Sequence, residues 1–364
     1  MSAYETPGAS AKDCLAVYTM LMNMQDLSFN NLEGEIPNLV DLVHLERCYL
    51  TSNLLTGNIP DWIKSRDTGV HTDLSYNNFS ESSAPPGCPE NLNLFRSFSG
   101  KKVESGHCLT RFPCTKDWYE IHINCGGGST MIGNTVYEAD NETRNSAKFS
   151  PQKESWGTSI TGNFWDLSNI TLDDYTARNV SVLSVKNSEL YTEARLSPLS
   201  VSYYGRCLAN GKYNVTLHFA EIIFRHNRSY QSLGRRMFDV YIQDEKVLED
   251  FDIEHVAGGV DKAVTQTYQT VVKDKTLDIR FHWAGKGTSA IPRRGMNGPL
   301  ISAISMKANF KPPPDGKTKV FIAVGVAALV LCIILTVLLI LWWKGCMGGS
   351  NSREQGGEAL LHEF

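Results

Sequence analysis

"YNVTLHF", Tyr213 to Phe219, decides the fold. Apolar Tyr213, Val215, Leu217 and Phe219 alternate with Asn214, Thr216 and His218. A period of two places the two sets on opposite faces of an extended strand. The same alternation recurs on both sides, in "YEIHIN" (Tyr119–Asn124), "FDVYIQ" (Phe238–Gln243), "TLDIRFHW" (Thr276–Trp283) and "LISAISM" (Leu300–Met306). Gly, Asn and Asp turns separate these runs, and no sustained helical period interrupts them between Trp118 and Lys307. The sequence therefore predicts a mainly β chain with a β-sandwich, not an α/β domain.

Upstream of that strand lies "INCGGGSTMIGNTVYEADN", Ile123 to Asn141. A dinucleotide loop needs G-x-G-x-x-G between a strand and a helix. Gly126 and Gly128 supply two glycines, but Met131 stands at the third position and no amphipathic helix follows. "AGKGTS" (Ala284–Ser289) lacks the first P-loop glycine, because Arg280 occupies it. GxSxG, HExxH and the kinase motifs do not occur. The glycines read as turn residues at a sandwich edge. A net charge of −4 argues against a nucleic-acid surface.

Nearer the N-terminus a repeat appears. "LSFNNLEGEIP" (Leu27–Pro37) returns as "LTSNLLTGNIP" (Leu50–Pro60), and a degenerate copy begins at "LSYNNF" (Leu74–Phe79). This is the leucine-rich-repeat period, with Asn30, Asn53 and Asn77 at the asparagine position that hydrogen-bonds the turn. Two and a half copies fall short of the roughly three that a stable stack needs. "MSAYETPGASAKDCLAVYTM" also lacks the basic and apolar regions of a signal peptide. Both features suggest a fragment or a shortened product.

Toward the C-terminus, Val320 to Trp343 is apolar without a charge, long enough to span a bilayer, and ends in Trp342 and Trp343. Cys14, Cys48, Cys88, Cys108, Cys114, Cys125 and Cys207 precede it, without CxxC pairs or histidines at ligand spacing. Disulfides are expected instead, with Cys108–Cys114 closing a short loop and Cys125–Cys207 bridging the sandwich. N-x-S/T acceptors at Asn78, Asn141, Asn169, Asn179, Asn214 and Asn227 all lie on one side of the span and agree with a secretory location. No metal or other cofactor is expected.

"INCGGG…YEAD", "LYTEARLSPLSVSYYGRCLANGKYNVTLHFAEI", "LGRRMFDVYIQDEKVLEDFDI" and "FHWAGKGTSAIPRRGMNGPLISAIS" together resemble the malectin domain of plant leucine-rich-repeat receptor-like kinases. That resemblance implies a jelly-roll-like sandwich related to a carbohydrate-binding module. The implied organisation is partial repeats at 1–80, a Cys-containing connector at 81–117 and a malectin-like domain at 118–308. A Pro-rich stalk at 309–319, a transmembrane helix at 320–343 and a short cytoplasmic tail at 344–364 follow. Relatives carry a cytoplasmic Ser/Thr kinase after the span, and "KGCMGGSNSREQGGEALLHEF" is far too short for one.

Sugar faces stack on aromatic rings while polar side chains bond hydroxyls. By motif position the resemblance implies Tyr203, Tyr204 and Tyr137 as carbohydrate contacts, with Asn297 where the animal domain has an acidic residue. Trp156, in polar "KESWGTS", is expected to be an exposed aromatic, whereas Trp283 is expected in the core. The competing expectation for the tyrosines is packing at the sandwich edge. Glu221 and Asp239 raise glycosidase chemistry, but Glu221 could equally pair with Arg235 or Arg236 or accept turn amides. The function implied is a plasma-membrane receptor-like protein that binds a carbohydrate or peptide-like ligand, with signalling through a co-receptor kinase. The alternative is a scaffold that binds another receptor's ectodomain without sugar.

Overall fold

The computed structural model describes residues 24–41, 44–65, 70–80, 91–99, 114–141, 148–151, 154–161, 175–179, 185–225, 234–283, 285–287, 296–312 and 316–347. The expectations for Cys14, Cys88, Cys108, Asn169 and Asn227, and for the chain beyond Met347, fall outside these residues. Two compact units meet in the chain at Phe310 and Lys311.

The first unit begins with β1 (Met24–Asp26), β2 (Glu33–Gly34), β3 (Arg47–Tyr49), β4 (Leu54–Leu55), a short helix α1 (Asp61–Lys64), β5 (His71–Asp73) and β6 (Leu92–Asn93). β1, β3, β5 and β6 pair in parallel, with Gln25 beside Cys48, Cys48 beside Thr72 and Thr72 beside Leu92. The asparagines hold successive rungs together. Asn53 Nδ2 donates to Leu27 and Leu50 carbonyls at 3.0 Å each, while its Oδ1 accepts from Leu32 N at 3.1 Å. Asn77 repeats the pattern one rung on, donating to Leu50 and Leu74 and accepting from Leu55 N. After each rung one residue bends into positive φ: Phe29, Ser52, Tyr76 and Arg96, at 55°, 54°, 54° and 51°. Leu32, Leu50, Leu55, Leu74, Phe79 and Leu94 fill the apolar interior.

The fourth rung lies where the sequence suggested a connector. The step from Thr72 to Leu92 is shorter than the two before it, so "LNLF" escapes a 23–24-residue period.

The second half of this unit contains β7 (Glu120–Cys125), β8 (Thr130–Ile132), β9 (Thr135–Asp140), β10 (Lys148–Pro151), β11 (Trp156–Thr161), β12 (Thr176–Arg178), β13 (Glu193–Leu196) and β14 (Ser200–Gly205). It continues through β15 (Gly211–Ala220), β16 (Phe238–Ile242), β17 (Glu245–Phe251), helix α2 (Ile253–Ala257), β18 (Ala263–Val272), β19 (Leu277–His282), β20 (Leu300–Ile301) and β21 (Ala303–Ala308). Two six-stranded sheets result, ordered β10-β11-β14-β19-β16-β17 and β18-β15-β21-β7-β9-β8, with a three-stranded sheet β12-β13-β20 beside them.

β15 alternates as its sequence demands. Tyr213, Val215, Leu217 and Phe219 are buried, while Asn214, Thr216 and His218 lie on the outer face. The buried set shares one core with Val201 and Tyr203 of β14, Phe238 and Val240 of β16, and Ile279 and Phe281 of β19. Phe219 meets Phe251 at 4.8 Å and Phe281 at 6.1 Å between ring centroids. Each fully buried side chain of this size contributes roughly 1.5–3 kcal/mol, so this seam dominates the stability of the sandwich.

The disulfide expectations are corrected here. Cys207 bonds Cys114, with Cα atoms 5.5 Å apart, and Cys125 lies buried at the end of β7. Neither Cys125–Cys207 nor Cys108–Cys114 therefore forms. The reason is local: Trp118 N donates to Cys207 O at 2.7 Å, which brings the chain entering the sandwich beside the β14–β15 turn. The bridge closes a loop of 93 residues, worth about 4–5 kcal/mol on the chain-entropy account.

The second unit contains one long helix, α3 (Gly316–Met347). Its stretch Val324–Lys344 is long and apolar enough to cross a bilayer.

Candidate functional site

The glycine stretch folds as a pin for the sandwich. Gly126 takes a φ of +76°, and a Cβ there would sit 2.6 Å from the Ala194 carbonyl. Only glycine fits such an approach. Its N–H donates to Asp140 Oδ2 at 3.1 Å, and Gly128 N–H donates to Glu193 Oε2 at 3.3 Å. Asn124 Nδ2 closes the turn on Gly128 O at 2.7 Å. Backbone donors that would cradle a phosphate are thus spent on the protein's own carboxylates.

Asp140 also organises the tyrosines. Its Oδ2 accepts from Arg195 Nε at 3.0 Å and from the Tyr203 hydroxyl, and both ends of the ion pair are fully buried. Burial opposes the Arg195 charge, yet Asp140 outweighs it and raises the guanidinium pKa. Tyr203 is therefore a buried structural donor rather than an open ring. Trp156, expected to be exposed, is fully buried on β11, with Nε1 donating to Glu138 Oε2 at 2.6 Å. Its indole lies 6.3 Å from the Tyr203 ring. The polar neighbours of Trp156 in sequence gave no sign of this, because β11 is buried along its whole length, its polar Thr158, Ser159 and Thr161 included. Trp283 is half-buried rather than fully in the core, and its Nε1 bonds Lys286 O.

Tyr204 is covered by the parallel ladder. Its ring stacks on Phe95 at 5.2 Å and 24°, and its hydroxyl donates to Thr158 O. Around that stack the ladder's polar face docks on β11, β14 and β19. The Tyr76 hydroxyl meets Ser202 Oγ at 3.0 Å, Thr161 Oγ1 donates to Asp73 Oδ2 at 2.9 Å, and Asn93 Nδ2 donates to Ser159 Oγ. Arg96 pairs with Asp278 at 2.8 Å and with Asp244. Phe29 stacks on His282 at 3.9 Å, and the Arg280 guanidinium lies 4.2 Å from the Tyr76 ring centre. Burial pushes His282 down to about 3, and it raises Asp73. Sequence reasoning missed Phe29, Tyr76, Phe95 and Arg96. Phe29, Tyr76 and Arg96 share one signal, the positive-φ position after each rung, and Phe95 stands one residue before it.

Tyr137 is nearly buried on β9 and bonds Ser305 Oγ at 2.9 Å beside His122. On the same outer face Tyr191 bonds His218 Nδ1 at 3.0 Å, and burial pushes His218 down to about 4. Asn297 is 2% exposed, and neither its Oδ1 nor its Nδ2 has a hydrogen-bond partner among the described residues. Tyr203, Tyr204 and Trp156 lie on the neighbouring strands β14 and β11, Tyr137 lies on β9 of the other six-stranded sheet, and Asn297 precedes β20.

Glu221 makes both of the contacts the sequence allowed. Oε2 accepts from Arg236 Nε at 2.8 Å, and Oε1 accepts from Ile223 N at 3.0 Å and Phe224 N at 3.1 Å. Asp239 accepts Asp250 N at 2.8 Å and pairs with Lys246 at 3.1 Å. Each carboxylate is held by partners of its own. Among the N-x-S/T acceptors, Asn78 and Asn141 are exposed and Asn214 is half-buried on the outer face of β15. Asn179 is 5% exposed, and its side-chain amide donates to Asp261 at 2.9 Å. No cluster suited to a metal ion occurs among the described residues.

The malectin domain family matches residues 119–304. A probable leucine-rich repeat receptor-like serine/threonine-protein kinase of Arabidopsis thaliana is 40% identical over 345 residues, covering 91% of this chain and 33% of the relative. The probable LRR receptor-like serine/threonine-protein kinase RFK1, from the same plant, is 38% identical over 338 residues, covering 88% and 32%. The chain spans about a third of the length of these relatives. Among solved structures, the ANXUR2 extracellular domain of Arabidopsis thaliana aligns at TM-score 0.33 and 14% identity, covering 54% of this chain and 52% of that one. A Bacteroides uniformis β-glucuronidase aligns at 0.35 and 18%, covering 52% and 18%. Likenesses of that strength carry no functional weight.

Proposed function

The chain belongs to the malectin-domain family, and we propose that it is the ligand-recognising ectodomain and membrane anchor of a single-pass receptor-like protein. The observation that carries this reading is the succession within one chain of the parallel ladder, the matched domain at 119–304 and the apolar stretch Val324–Lys344. We read the ladder as leucine-rich repeats, α3 as the span and the plasma membrane as its location. The relatives are named as probable kinases. In this reading a co-receptor takes part in signalling.

The ligand in this reading is an extracellular carbohydrate or a peptide-like molecule. Of the five candidate contacts, Asn297 is the one with bonding capacity left in both amide atoms. An unpaired buried amide costs about 1–3 kcal/mol, which a sugar hydroxyl, a peptide group or a water would recover. A scaffold reading has its own support. Phe95 closes the Tyr204 face, which leaves polar sheet surfaces better suited to a protein partner than to ring stacking. The test is binding of the full chain in lipid nanodiscs to a panel of cell-wall oligosaccharides, secreted peptides and receptor ectodomains. Saturable binding of an oligosaccharide or peptide, weakened about tenfold by Asn297→Ala, supports ligand recognition. Saturable binding to ectodomains alone supports the scaffold, and no binding to any panel member contradicts both.

A further inference from the structure

β18 (Ala263–Val272) stands at the edge of its sheet and pairs, among the described residues, with β15 alone. Its ten residues keep register from Ala263 opposite Ala220 to Val272 opposite Gly211, without a bulge. Long open edges in proteins are usually blunted by a proline, an inward charge or a bulge. "AVTQTYQTVV" has none of these. Thr265, Thr267, Gln269 and Val271 are exposed on the outer face, and Tyr268 on the core face is only partly covered.

We propose that this edge is a homodimer interface, in which β18 pairs antiparallel with β18 of a second copy and makes one continuous twelve-stranded sheet from two six-stranded ones. The strand selects its own register. The outer-face residues have odd numbers and the core-face residues even ones, so only pairings of like parity keep both faces intact. Among those, placing Tyr268 opposite Tyr268 sets Thr267 against Gln269 and Thr265 against Val271. Just beyond the strand ends it also sets Lys262 against Asp274, twice by symmetry. Both of those residues are exposed. Lys262 Nζ donates to the Gly258 carbonyl at 2.6 Å. A shift by two residues would instead need Asp261, whose carboxylate is already held by Arg225 at 2.6 Å and Asn179 at 2.9 Å. Opposite charges and an aromatic pair across strands each favour the first register. The contact is isologous, as a closed dimer requires. A single strand edge buries less than the roughly 1,200 Å² of a standard stable interface, so the dimer is weak in dilute solution. Two copies anchored in one bilayer, on the span reading above, meet at far higher effective concentration.

The test uses the full chain in lipid vesicles, with Cys332→Ala and Cys346→Ala to silence thiols near the span. Thr267→Cys and Gln269→Cys copies carrying different tags are mixed and oxidised. Vesicle co-flotation is measured alongside, so failure of the span reading is seen separately from failure of the dimer. The expected result is a 267–269 cross-link at least ~10-fold faster than 267–267 or 269–269, because only directly opposed residues approach within disulfide reach. Lys262→Glu abolishes the cross-link, and Lys262→Glu with Asp274→Lys restores it. Equal rates for all three pairings, no cross-link in chains that co-float, or indifference to Lys262→Glu would each overturn the proposal.

Discussion

Asp140 receives three donors from three elements: the Gly126 amide, the Arg195 guanidinium and the Tyr203 hydroxyl. Removing the cation leaves a buried carboxylate without a counter-charge, so Arg195→Met is expected to cost about 3–5 kcal/mol. Tyr203→Phe removes one neutral donor and should cost about 1–2 kcal/mol. Denaturant midpoints of the two variants, taken with the wild-type slope, measure that ordering. His282 gives a pH signature. Burial holds it neutral with a pKa near 3, against an ordinary 6.5. Its contribution is therefore complete above pH 6.5 and is lost as the pH falls toward 3. Between pH 6.5 and 5 the loss is about 2 kcal/mol. Half-buried Asp26, raised to about 6 by burial, works in the opposite sense and gains stability over the same range. The difference between wild type and His282→Gln cancels the Asp26 contribution. That difference should shrink steadily from pH 7 to pH 5 in thermal melts, and a constant difference would show His282 titrating normally.

At the scale of elements, the sandwich strands were legible because each buries one face, which writes a period of two into "YNVTLHF" and its fellows. The asparagine rungs were legible for a similar reason, since one side chain serves two neighbouring turns and must recur with them. The fourth rung was not, because its shorter spacing breaks the period while its pairing with β5 preserves the fold. Disulfide partners were illegible because pairing depends on where a turn places Cys207 beside Cys114, not on separation along the chain. The aromatic candidates misled for another reason. Motif position says where a tyrosine sits on a strand, but not that Phe95, more than a hundred residues earlier, lies over it. Phe95→Ala should cost about 3–5 kcal/mol. It should also raise hydrogen exchange in residues 91–99 and in β14 together, whereas an effect confined to 91–99 would mean that the ladder and the sandwich open independently.

At the scale of the molecule, the ladder and sandwich share one compact unit, and a 32-residue helix follows. An ectodomain account requires that unit to mature in an oxidising, glycosylating compartment. The most direct measurement is enzymatic deglycosylation of the full chain expressed in plant cells behind a secretory signal, with each accessible acceptor replaced in turn. The account predicts a mobility shift that shrinks by about one glycan with each of Asn78→Gln and Asn141→Gln, stays unchanged with Asn179→Gln, and persists in membranes washed with alkaline carbonate. A chain that enters the membrane fraction yet shows no shift would place the malectin domain on the cytosolic side and contradict the receptor reading.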